Sequence, residues 1–107
     1  MSEIRVEFLI PQKYNDGSLV EEGKLIQTYD EIVERFTTCS MNNQTITGRW
    51  KDPKTSVYYD DILNSIWVIC EDTQGNRDFF NNLRTILQER FKQESILMYM
   101  FNVSTTF

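Results

Sequence analysis

The chain opens on an alternation. Ile4, Val6, Phe8 and Ile10 recur at every second position with Arg5, Glu7 and Leu9 between them, which predicts a strand over 3–10 with one strongly apolar face. Pro11 has no N–H to give a ladder and ends it. Asn15-Asp16-Gly17-Ser18 follows, a cluster of turn-forming side chains that reads as a loop. The period then changes: Leu25, Ile26, Tyr29, Ile32, Val33 and Phe36 form one helical stripe. This predicts a helix over about 20–36, irregular near Gly23, with Ser18/Glu21 and Thr28/Glu31 both at capping-box spacing.

Residues 37–43 are polar and read as a connecting loop. In 44–50, Ile46, Gly48 and Trp50 share one face and Thr45, Thr47 and Arg49 the other, which predicts a strand. Asp52-Pro53-Lys54-Thr55 is a type I turn signal, so 44–50 and the apolar run 61–70 form a hairpin, the return strand beginning among 56–60. Residues 71–76, with Gly75, read as a loop. Phe79, Phe80, Leu83, Ile86, Leu87 and Phe91 repeat at helical spacing, with Asn76 or Asp78 placed to cap the start. A last strand is predicted over 95–103.

The order is β-α-β-β-α-β. It predicts an α+β chain of ferredoxin-like type, a four-stranded antiparallel sheet with two helices on one face. The first and third strands are then central and the second sheet face is open. Ile62, Ile66 and Val68 alternate with Leu63, Trp67 and Ile69, and Ile96, Met98 and Met100 with Leu97, Tyr99 and Phe101. Strands apolar on both sides need cover on both sides, so the open face is expected to meet a partner, a second copy making a homodimer or another protein.

Composition narrows the chemistry. The chain has 107 residues, read as a single domain over 1–107, with 40% hydrophobic and 13% aromatic positions, too apolar to stay disordered. It has no His, which removes Ser-His-Asp and Cys-His arrangements, His-ligated metal sites and histidine switches. Eleven Lys and Arg against sixteen Asp and Glu give a net charge of −5, and the basic-aromatic pattern of an RNA-binding sheet is missing, so nucleic acid is not an expected partner. Cys39 and Cys70 fit no zinc or redox spacing and read as packed free thiols. No stretch is long and apolar enough to span a bilayer, and the first residues lack the basic and apolar regions of a secretory signal. The expected location is the cytoplasm.

Candidate chemistry is sparse. Asp60 and Asp61 follow Tyr58 and Tyr59, but neighbours on a strand point to opposite faces, which disfavours a shared-proton dyad. The same alternation separates Arg49 from Trp50. Arg5 and Glu7 share a face near the middle of the open sheet, where opposite charges amid apolar groups need pairing or hydration. A ligand site on this chain would draw on Arg5, Glu7, Trp50, Tyr58, Asp60 and Trp67, with a carboxylate as base because no imidazole exists. No catalytic residue, metal or cofactor is assigned.

Gly48-Arg49-Trp50-Lys51-Asp52-Pro53, with Thr55, Tyr58 and Asp60, and the later run Glu89-Arg90-Phe91-Lys92-Gln93-Glu94-Ser95-Ile96 resemble small bacterial proteins of a domain-of-unknown-function type. Asn15-Asp16-Gly17 and Arg35-Phe36 extend the resemblance over about 8–96. It implies a compact α+β domain and brings no activity; after Phe36, Thr37-Thr38-Cys39-Ser40 replaces the family's glycine-containing turn. The resemblance also suggests that Glu94 or Gln93 bonds to the backbone of the turn joining the second helix to the last strand. The functional expectation is a non-enzymatic binding or regulatory module that dimerises through its open face. The alternatives are a small-molecule-binding protein or enzyme of the dimeric α+β barrel type, and an acidic adaptor or inhibitor of a larger protein.

Overall fold

A computed structural model describes residues 2–42 and 45–106. Strand β1 runs Glu3–Pro11, helix α1 Glu22–Phe36, β2 Ser40–Met41, β3 Ile46–Lys51, β4 Tyr58–Glu71, α2 Gln74–Arg90 and β5 Leu97–Val103. All strand pairs are antiparallel; the sheet order is β2-β4-β1-β5, with β3 also on β4. The chain is therefore α+β as expected, but its sheet has five strands rather than four. The cause is the length of β4. Its first half pairs with β3 from Ile46↔Leu63 to Lys51↔Tyr58, while Ser40 and Met41 pair with Trp67 and Ile66 further along. The outer edge is thus made of two pieces, and a two-residue strand carries no readable alternation. Gln44, the predicted start of the strand before the hairpin, lies outside the described residues.

Parity decides the core. Ile4, Val6, Phe8 and Ile10 of β1 and Ile66, Val68 and Cys70 of β4 are buried in one cluster with Ile32 of α1 and Phe80, Leu83 and Leu87 of α2. Met98 and Met100 of β5 pack against that cluster. Both helices therefore cover the same sheet face. Arg90 at the end of α2 ties them together, donating to Glu31 at 2.7 and 3.0 Å and to the buried Thr28 hydroxyl at 2.8 Å. Cys39 and Cys70 are buried free thiols. Burial pushes the Cys39 thiol up to about 11 and raises that of Cys70, so both resist ionisation.

Helix boundaries differ from the sequence reading where local side chains chose other partners. Neither capping box forms. Ser18 bonds back to Asp16, Glu21 accepts from the Tyr14 hydroxyl, and Thr28 sits inside α1 donating to the Lys24 carbonyl at 2.9 Å. Helix α2 starts before Asn76: the Thr73 hydroxyl caps it by accepting from the Asn76 N–H at 3.1 Å, and Gly75 belongs to its first turn. Of the pair after α2, Gln93 donates to the Phe91 carbonyl at 3.1 Å, whereas Glu94 takes part through its backbone carbonyl, which accepts from Gln88 at 2.6 Å.

Helix α1 ends with Thr37 at φ 65°, its N–H on the Val33 carbonyl at 2.7 Å. This left-handed cap position favours glycine, and a β-branched residue there is strained. Thr37→Gly is expected to raise the unfolding free energy by about 1 kcal/mol, the side-chain strain outweighing the extra chain entropy of glycine. Urea denaturation checks it; a lower midpoint would show that the Thr37 side chain contributes more than it strains.

Candidate functional site

With the even positions of β1 committed to the helices, Arg5, Glu7 and Leu9 point to the uncovered face. Register supplies their neighbours. Glu7 lies between Trp67 of β4 and Tyr99 of β5, Arg5 between Ile69 and Phe101, and Leu9 between Ser65 and Leu97. The centre of the open face is thus one carboxylate and one guanidinium set among aromatic and aliphatic side chains.

Glu7 is only 6% exposed. Arg5 donates to its Oε1 through Nη2 at 2.8 Å and Nε at 3.2 Å, and the Ser65 hydroxyl donates to Oε2 at 2.6 Å. Tyr99 lies directly across from Glu7 on β5. Burial pushes the Glu7 carboxyl up, but the Ser65 and Tyr99 hydroxyls beside it and Arg5, with the Arg5 charge, outweigh it and hold the group below its ordinary value of 4.5. Tyr99 moves the opposite way: burial and the Glu7 carboxylate beside it, with its charge, raise it. The guanidinium of Arg5 lies 4.0 Å over the Trp67 ring and 6.0 Å from that of Phe101, a cation between two aromatic planes. A fully ionised carboxylate is therefore held rigidly at a largely apolar surface.

Of the six residues expected to form a site, Arg5, Glu7 and Trp67 come together here. Trp50 is on the same face by strand alternation, stacked on Tyr59 at 4.7 Å, but Tyr59 lies about 26 Å along β4 from Trp67 at the usual rise per residue. Tyr58 and Asp60 have the opposite parity. Arg49 bonds Asp60 at 2.6 and 3.2 Å and lies 5.8 Å from the Tyr58 ring, all exposed on the hairpin. They form a separate surface cluster. Asp60 and Asp61 do fall on opposite faces, Asp60 across from Arg49 and Asp61 across from Gly48. Ser65 and Tyr99 belong to the site and were not singled out from the sequence. Their parity was readable, but the β1–β5 register that puts Tyr99 beside Glu7 was not.

A concavity of about 970 Å³ lies between α1 and α2 on the far side of the molecule, floored by Ile26, Phe79, Leu83 and Ile86. No helix of the described residues is long and apolar enough to cross a membrane.

No family model and no curated protein matches the chain. Solved structures do. A phage SAM lyase in complex with S-methyl-5'-thioadenosine superposes with a TM-score of 0.64 over 96% of this chain and 90% of that one, at 14% identity. A phage SAM lyase in its apo state gives a TM-score of 0.58 over 94% and 81%, at 18% identity. What is shared is the fold. The expectation of a non-enzymatic module is corrected here: both of these structural neighbours are enzymes, so a small domain of this shape is no argument against catalysis.

Proposed function

We propose that this chain is an enzyme that cleaves S-adenosylmethionine, with its site at Arg5, Glu7, Ser65, Trp67 and Tyr99 on the open sheet face. The fold is read as ferredoxin-like, its outer strand divided into β2 and β3. The observation that carries the proposal is the Arg5–Glu7 pair, 2.8 Å apart between aromatic rings. A guanidinium held in place by a buried carboxylate matches the carboxylate of an amino acid, and aromatic planes match a purine. S-adenosylmethionine carries both.

The chemistry suits a chain without imidazole. To release S-methyl-5'-thioadenosine, the bond from sulfur to the aminobutyryl carbon breaks and its electron pair stays on sulfur. The positive sulfonium becomes a neutral thioether, so the leaving group needs no proton. In a lyase the carbon fragment is completed from within the substrate, by its own carboxylate or by loss of a proton, and water is not consumed. Because positive charge disappears along the way, an apolar, water-poor surrounding favours the transition state over the charged ground state. Trp67, Tyr99 and Phe101 provide its apolar wall, Tyr99 and Phe101 being solvent-exposed in the free chain and shielded only when substrate lies on them. Arg5 orients the substrate carboxylate, and Glu7, its oxygens taken by Arg5 and Ser65, holds that guanidinium in place.

Incubating the full chain with S-adenosylmethionine at neutral pH and separating the products by chromatography tests the proposal. S-methyl-5'-thioadenosine should accumulate in proportion to protein and time. Substrate that stays intact at high protein concentration would overturn it.

A further inference from the structure

We propose that the groove between α1 and α2 docks an amphipathic helix of a partner protein, apolar along one side and carrying lysine or arginine along its flank. The groove lies on the opposite side of the sheet from Glu7 and has no part in the chemistry above. Its shape is that of a missing third helix. On α1 it is lined at Gly23, Ile26, Gln27, Asp30, Glu31 and Glu34, and on α2 at Phe79, Asn82, Leu83 and Ile86, each set a single helical stripe. From Gly23 to Glu34 the α1 wall runs about 17 Å at the helical rise, three turns of an occupant. Ile26 and Ile86 are 50% and 48% exposed at its floor, which is where a docked helix places its apolar anchors.

Charge gives the occupant its sign. The carboxylates lining the groove are Asp30, Glu31 and Glu34, and the one cation is Arg35. Glu31 is taken by Arg90 at 2.7 Å, and Arg35 by Asn76 and the Phe79 ring. Asp30 and Glu34 have no ion-pair partner among the described residues. As like charges one turn apart they weaken α1 by themselves, and a cation from a partner would relieve them. Gly23 is an independent sign. It lies in the first turn of α1, where glycine costs about 1 kcal/mol against alanine. Its φ is not positive, and a Cβ built on it meets nothing within 4 Å, so the fold does not require glycine. What glycine provides is a low wall at the groove's end, where a second helix backbone can approach.

The probe is a fluorescein-labelled synthetic peptide of about 15 residues, leucine at i, i+3, i+4 and i+7 and lysine on the flanks, titrated with the full chain by fluorescence anisotropy. Saturable binding is expected, weakened about tenfold or more by Gly23→Trp and by the pair Asp30→Lys with Glu34→Lys. Gly23→Trp has open space to occupy, and an unchanged circular dichroism melt confirms that it folds. The proposal is overturned by equal binding of a peptide with glutamate flanks or with serine in place of leucine, by full binding to Gly23→Trp, or by no saturation up to about 100 μM.

Discussion

Phe80→Ala is expected to lower the unfolding free energy by about 3–5 kcal/mol, the largest single effect on stability in this chain. Phe80 is fully buried and joins three elements. Its ring stacks on Phe36 of α1 at 5.1 Å and 5°, meets Phe79 edge-on at 5.3 Å and approaches Phe8 of β1 at 6.0 Å. Truncation removes the transfer free energy of the ring and leaves a void walled by other aromatic rings and strand residues, which cannot collapse into it. A domain of this size has about 5–15 kcal/mol in all, so the variant should be near unfolding at 25 °C. Urea titration followed by tryptophan fluorescence checks this. A loss under about 1 kcal/mol would mean that the aromatic cluster repacks, contrary to its fixed geometry.

That cluster also shows how far the sequence could be read. Helical spacing marks Phe79, Phe80, Leu83, Ile86, Leu87 and Phe91 as one face, and alternation marks Ile4, Val6, Phe8 and Ile10 as another, because burial selects apolar groups at the element's own period. The strand set is in the core with Phe80, Leu83, Leu87 and Phe91, whereas Phe79 packs at its edge and Ile86 is left exposed in the groove between the helices. Boundaries were less legible, since Ser, Thr and Asp can bond to several nearby backbone groups. Thr73 rather than Asn76 or Asp78 caps α2, and Asp16 rather than α1 takes Ser18. Strand β2 was missed because pairing by backbone alone leaves no side-chain pattern.

The site divides in the same way. Arg5 and Glu7 could be placed on the open face from parity within one strand. Joining them to Ser65 and Tyr99 needs the register of β1 against both neighbours, which depends on how three strands pack at once. Trp50, Tyr58 and Asp60 were grouped with them by nearness in sequence to the hairpin and by chemical type. Strand parity puts Tyr58 and Asp60 on the other face, and strand length carries Trp50 far along β4. The groove between the helices depends on their separation, to which no residue pattern is a guide.

Glu7→Gln is expected to lower kcat/KM for S-adenosylmethionine by about 100-fold or more, the largest functional effect of any single substitution here. Two groups, Arg5 and Ser65, donate to Glu7, and Tyr99 stands across the strand from it. A glutamine amide can accept at one end only and presents a second donor to one of them, so the guanidinium loses its counter-charge and turns away from its place over Trp67. Glu7→Asp keeps the charge and should recover part of the activity; a site in which Glu7 merely supports the sheet would show no such difference between the two variants. Stability against pH gives a separate readout. The folded-state value of Glu7 lies below its ordinary value of 4.5, so between the two the unfolded chain binds more protons than the folded one, and stability rises with pH there. Glu7 thus contributes its full share at and above ordinary carboxylate values, and loses it as pH falls below 4.5 through the folded-state value. Thermal melts from pH 7 down to about 3 should therefore show a steeper acid loss for the wild type than for Glu7→Gln. Parallel curves would mean that Arg5, Ser65 and Tyr99 do not favour the ionised carboxylate, and the charge pairing on which the proposed site rests would fall with them.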